Sequence, residues 1–189
     1  MDKVTEILNN DGVIAFVTDT VWGLGCLPTS KKAVQRIYEI KYRDAKKPLI
    51  LMSDDIKYLR KYVKPLSILA NELIQKHFPG ALTLVVNKSD NTPDYITSSM
   101  PTVGIRVPDN KTFAKICQFT DGHVLATTSA NLSNKPAALS YEEAVKYIGD
   151  KVDLVIEDYG EKAQGRASTV AGISPKGITI FRQGDVVLN

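Results

Sequence analysis

Histidine and cysteine are scarce in this 189-residue chain, with two of each. Cys26 and Cys117 stand far apart, with no Cys-x-x-Cys pair and no companion histidine spacing, which argues against a disulfide framework and a structural zinc site. His77 and His123 are the only imidazoles, so chemistry built on a histidine cluster or a histidine-dependent triad has almost no material. Long apolar runs are also lacking, since nothing approaches the roughly 20 residues that a bilayer span requires. The first ten residues include Asp2, Lys3 and Glu6, so neither export nor membrane insertion is expected, and a reducing cytoplasm is the expected location. Net charge is only +3, too small to name a partner. Neither the Walker pattern nor the G-x-G-x-x-G fingerprint occurs, although Gly23-Leu24-Gly25 begins like the latter. If ATP binds, it binds by another design.

What is present is an ordinary globular composition, 43% hydrophobic and 24% charged, which predicts one core and a single domain spanning 1–189. Helical spacing marks Val4, Ile7 and Leu8, then Ala33, Val34, Ile37 and Tyr38 after Ser30, and Leu66 through Ile74. Ser140 and Glu143 have capping-box spacing ahead of a helix to Ile148, with Gly149 as its stop. Strand-like runs are Val13 to Val17, Leu49 to Met52, Leu82 to Val86, Val103 to Val107 and Val124 to Thr128. Four more follow: Val152 to Ile156, Thr169 to Ile173, Ile178 to Phe181 and Val186 to Leu188. Interleaved helices and strands followed by a run of strands predict an α/β fold, a twisted mixed sheet with helices on its faces.

Polar residues collect at strand ends, where open α/β sheets hold their ligands. Thr18, Asp19 and Thr20 follow the first strand, Arg106 lies within another, Thr127, Thr128, Ser129 and Asn131 end a third, and Arg182 ends a late one. Hydroxyl, amide and guanidinium groups suit phosphate and carboxylate oxygens, and Lys41, Arg43, Lys46 and Lys47 add an electropositive loop. Taken singly, each cluster is also compatible with turn formation or a solvated face. Gly23 and Gly25 read first as a turn, Trp22 as either a stacking or a packing residue, and Arg106 as either a carboxylate clamp or a surface strand residue.

In order along the chain stand Thr18-Asp-Thr-Val-Trp-Gly-Leu-Gly25, Lys41-Tyr-Arg43 with Lys47-Pro-Leu49, Pro79-Gly-Ala-Leu-Thr-Leu84, Gly104-Ile-Arg-Val-Pro108, Thr128-Ser-Ala-Asn131 and Ser168-Thr-Val170. This series resembles the YrdC-like family of threonylcarbamoyl-AMP synthases. The resemblance implies a large electropositive cavity and the conversion of L-threonine, bicarbonate and ATP to threonylcarbamoyl-AMP, pyrophosphate and water, for a tRNA modification. It implies a catalytic set of Lys41, Arg43, Ser129 and Asn131. ATP would be held by Arg43, Lys47, Thr102, Ser129 and Arg182, and threonine by Thr20, Arg106, Thr127 and Ser168. Mg²⁺ would be held mainly by the ATP phosphates, with no protein metal ligand assigned, and a downstream threonylcarbamoyl transferase complex would take the product. Lys47, Met52 and Ala137 depart from the Asn, His and Ser frequent at ligand-facing positions of longer members, and Asn134 replaces a Gly. The linker and extra C-terminal domain of those members are not expected here. Two alternatives are an RNA-binding module using Lys41 to Lys47 and a paralogue of the same fold without synthase activity.

Overall fold

Residues 2–188 are described in a computed structural model of the chain. In chain order the main elements are α1 (Asp2–Asn9), β1 (Ile14–Phe16), β2 (Gly23–Cys26), α2 (Lys31–Lys41), β3 (Ile50–Ser53), α3 (Ile56–Leu59), α4 (Ile68–His77) and β4 (Leu82–Asn87). They continue as α5 (Asp94–Thr97), β5 (Thr102–Arg106), α6 (Lys111–Gln118), β6 (Val124–Ser129), α7 (Tyr141–Ile148), β7 (Leu154–Val155), β8 (Thr169–Ser174) and β9 (Gly177–Arg182). The described strands form one mixed sheet in the order β7-β1-β2-β6-β3-β5-β4-β8-β9, as the periodicity predicts. The pairs β1 with β7, β3 with β5 and β4 with β8 are parallel.

Local chemistry sets the helix starts. Ser30 Oγ accepts from the Ala33 N–H at 3.0 Å, Ser67 Oγ from Ala70 at 3.2 Å and Asn110 Oδ1 from Phe113 at 2.8 Å, each satisfying a first-turn donor. At α7, Ser140 Oγ takes the Glu143 N–H, and Glu143 reaches back to the Leu139 N–H at 2.8 Å. Gly149 follows this helix with a right-handed φ of −61°, so the expected glycine stop is not a left-handed cap.

The two faces of the sheet are covered differently. Alternate strand residues such as Val13, Ala15, Leu24, Leu51, Leu84, Ile105 and Ala126 form the main core with Ile37 of α2, Leu73 of α4 and Ile148 of α7. On the other face Ile14, Phe16, Met52 and Leu125 pack against Leu8 of α1 and Phe113 and Ile116 of α6. Among the described residues, no helix of either core cluster covers the rest of that second face, from the ends of β2 and β6 across β3, β5 and β4 to β8.

Three expectations need correction. Gly23 and Gly25 lie in a strand, and a Cβ at either would come within 2.8 Å of the Phe16 ring, so their lack of a side chain makes room for that ring. Val186 to Leu188 is not a strand: β8 already pairs with β4 and β9, and the Val186 carbonyl accepts from the Thr169 and Gln183 side chains. The strand around residues 152 to 156 shortens to Leu154–Val155, beside the equally short β1.

Candidate active site

The open part of the second face holds a cavity of roughly 190 Å³. Strand register arranges its floor in bands. One band runs from Arg182 through Val170 and Thr83 and continues through Arg106 and Met52. The next contains Ile50 and Thr127, which line the cavity, and extends across the sheet to Gly25 on one side and to Gly104, Val85 and Gly172 on the other. A third contains Ser129 opposite Gly23, and Thr102 opposite Asn87. Because side chains alternate along a strand, polar residues at both margins face the same side as the low-relief middle band.

Arg106, only 4% exposed, ends β5. Its Nε donates to the Gly80 carbonyl at 2.9 Å, one terminal nitrogen donates to Thr20 Oγ1 at 2.9 Å, and the other pairs with the Asp19 carboxylate. Burial draws its pKa below the usual guanidinium range, with Asp19 opposing and Arg182 adding to the shift. Arg106 is therefore not a surface strand residue, and Asp19 is its missed partner. Thr18 Oγ1 lies 3.1 Å from Thr20 Oγ1 and donates to the Val21 carbonyl, which fixes the turn after β1. Gln164 and Gly165 donate backbone N–H groups to the carbonyls of Asp19 and Thr20, tying that turn to the segment before β8.

At the β8 side, Ser168 Oγ lies 2.9 Å from Thr83 Oγ1. Arg182 donates to the Ser168 carbonyl at 2.9 Å and to its Oγ at 3.2 Å. Thr83, which the sequence carries inside the Pro79–Leu84 motif without a role, joins the site here. On the far margin Arg43 lines the cavity with its guanidinium held by the carbonyls of Lys47 at 3.1 Å and Pro48 at 3.0 Å. Burial lowers its pKa, while Tyr38 and Asp44 oppose that shift. Thus Arg43, Arg106 and Arg182 border a cavity whose lining, among the described residues, contains no carboxylate.

Lys41 is the principal correction at the site. It ends α2, is 1% exposed, and donates from Nζ to the Ser129 and Asn131 carbonyls and to Asn131 Oδ1. Asn131 Oδ1 also accepts from Ser129 Oγ at 2.6 Å. Three donors meet three oxygen acceptors, so the ammonium is a buried strut under the turn after β6. It is not a loop cation facing solvent. Burial first, then the charge of Arg43, lowers its pKa to about 7.

The cavity brings together Thr20, Arg43, Arg106, Thr127, Ser129, Ser168 and Arg182, with Met52 on the floor. It does not bring in Lys41 or Asn131, which are hydrogen-bonded to Ser129 outside the lining. The exposed Lys47 contributes its carbonyl to Arg43, and its ammonium is outside the lining. Thr102 is also outside, on the same face as Gly104 and Arg106 but farther along β5. Trp22 is fully buried in the main core, with its ring 6.1 Å from that of Tyr141, which favours packing over stacking on a ligand.

Comparison with known proteins places this geometry. The Sua5/YciO/YrdC family, described as telomere recombination, matches residues 6–184. The threonylcarbamoyl-AMP synthase of Vibrio cholerae is 32% identical over 186 residues, 97% of each chain. The P. abyssi Sua5 structure complexed with L-threonine superposes with a TM-score of 0.90 at 31% identity, covering 96% of this chain and 53% of that one. E. coli YciO superposes with a TM-score of 0.87 at 25% identity, covering 97% of this chain and 88% of the other. The arginine-bordered cavity on the half-covered sheet thus sits in a chain that belongs to the Sua5/YciO/YrdC family.

Proposed function

We propose that this chain is an enzyme, a threonylcarbamoyl-AMP synthase, with residues 2–188 forming one catalytic domain. The observation that carries this reading is the placement, on one open sheet face, of a buried Arg106–Thr20 pocket with Arg182 on its side of the cavity and Arg43 and Ser129 on the far margin. Two of the five N–H donors of Arg106 have no protein partner among the described bonds, and they suit the threonine carboxylate. Thr20, Thr127 and Ser168 offer hydroxyls to the rest of the amino acid. The cavity is electropositive in this reading, and Arg43 and Arg182 take the triphosphate.

The threonine amine combines with bicarbonate to give the N-carboxylate and water. A carboxylate oxygen then attacks the α-phosphorus, the bond from the α-phosphorus to the oxygen bridging the β-phosphorus breaks, and pyrophosphate leaves with that electron pair. The protein supplies position and charge complementarity and needs no covalent nucleophile. Mg²⁺ would be held by the ATP phosphate oxygens, because the described lining of the cavity offers no carboxylate for it, and it would offset the triphosphate charge. The product passes to a threonylcarbamoyl transferase complex that modifies tRNA in the cytoplasm.

The test is incubation of purified protein with ATP, Mg²⁺, bicarbonate and threonine. Threonylcarbamoyl-AMP and pyrophosphate are expected in equal amounts, each dependent on threonine and bicarbonate. ADP and phosphate as main products, or no threonine dependence, would overturn the reading.

A further inference from the structure

Phe181 is an aromatic side chain that no step above uses, and it is 63% exposed. Its position follows from an irregularity in the β8–β9 ladder. Val170 pairs with Arg182 and Ala171 with Ile180, so Phe181 is the extra residue between two paired positions. A bulge of this kind re-aims a side chain. Ala171 belongs to the main core, so its neighbour Gly172 faces the opposite side, the side of Val170 and the cavity. A Cβ at Gly172 would meet the Phe181 ring at 2.7 Å, so the ring lies across Gly172 on the cavity side of the sheet.

The middle floor band therefore continues outward from the cavity over Ile50, Gly104 and Val85 and ends at an exposed ring above Gly172. Arg182 is the next residue after that ring, and Thr102 flanks the band beyond Gly104. A low apolar shelf with an aromatic end, beside a guanidinium that borders the anionic pocket, matches a planar heterocycle attached to phosphates.

We propose that Phe181 is the stacking platform for the purine ring of the nucleotide and sets the preference for a large base. The proposal rests on the synthase reading for the identity of the nucleotide, and Phe181 touches the base, remote from the reacting atoms. Arg182 holds phosphate on one side while the base lies over the shelf toward Thr102.

The test compares Phe181→Ala, Phe181→Trp and the wild type in the full chain. Base–aromatic stacking predicts that Phe181→Ala raises the KM for ATP about tenfold. Saturated turnover and threonine affinity should stay within about twofold, and discrimination between ATP and CTP should flatten. Phe181→Trp should restore ATP KM. A merely structural ring would instead shift thermal stability and both substrates together, and that outcome overturns the proposal, as does an unchanged ATP KM. Calorimetry with ATP and with inorganic tripolyphosphate separates this test from the synthase reading. An ATP advantage over tripolyphosphate that Phe181→Ala abolishes supports the platform even where no adenylate forms. Equal binding of ATP and tripolyphosphate by the wild type overturns it.

Discussion

The two faces of the sheet share the same strands and serve different ends. On one, α2, α4 and α7 close over Leu, Ile and Val side chains, and burial there stabilises the fold. On the other, α1 and α6 cover one end, and the remainder sets three guanidinium groups and several hydroxyls around the cavity. The difference teaches that this site arises where helical cover stops. Substitutions on the covered face should cost stability, and those on the open face should cost chemistry.

Arg106 is where that division breaks most strongly, because it belongs to the open face yet is buried. Arg106→Ala should abolish measurable threonine binding and, by leaving Asp19 buried without its partner, destabilise the fold by about 3–5 kcal/mol. Arg106→Lys should recover part of the stability without recovering threonine affinity, since the planar fork is lost. Calorimetry and denaturant unfolding on both variants check this, and unchanged threonine affinity in Arg106→Lys would remove the clamp role.

A cleaner contrast sets Leu51 against Arg43. Leu51→Ala, in the covered core, should cost about 2–5 kcal/mol while leaving ligand affinities intact in the folded fraction. Arg43→Ala should lower turnover on the order of 100-fold, as loss of a charge-stabilising donor does, with a stability change near zero. Unfolding midpoints paired with pyrophosphate release distinguish the two.

Lys41 sharpens the comparison through pH. Its pKa is about 7 in the folded state against an ordinary 10.5, so between those values the unfolded chain binds more protons and this group makes stability rise with pH. Activity should move the other way. Above pH 7 the neutral amine has fewer hydrogens than its three acceptors require, Ser129 loses its support, and turnover should fall by up to about tenfold per unit. Lys41→Met should remove this limb of the pH–rate profile; a profile of unchanged shape would show that the strut does not govern Ser129.

The smallest effects belong to the exposed loop. Lys46→Ala and Lys47→Ala should each change adenylate formation by less than about threefold, because surface charges contribute little and Arg43 uses the Lys47 carbonyl. A large loss of RNA affinity with a flattened salt dependence would assign the loop to RNA instead.

These contrasts also show what the sequence could disclose. Ser30 and Ser140 announce their helices because a cap and its first turn are separated by three residues. The arginines and hydroxyls of the cavity were legible through their order along the chain. Gly23 and Gly25 were not legible as a strand, because the ring they accommodate belongs to Phe16 in another strand. The burial of Lys41 depends on acceptors 88 and 90 residues away, and Asp19 meets Arg106 across 87. Thr83 joins Ser168 across 85, and no local pattern encodes such a meeting.

That long-range assembly has a consequence for biogenesis. The turn after β1, the end of β5, the segment before β8 and the end of β9 must all be in place before Arg106, Thr20, Ser168 and Arg182 share one cavity. A ribosome-bound chain lacking its last strands presents only part of the pocket, so substrates cannot act as early templates for folding. They act late, on the completed sheet, and stabilise it by about RT ln(1 + [L]/Kd), which makes resistance to proteolysis in the presence of ATP and threonine a readout of whether the last strand has docked.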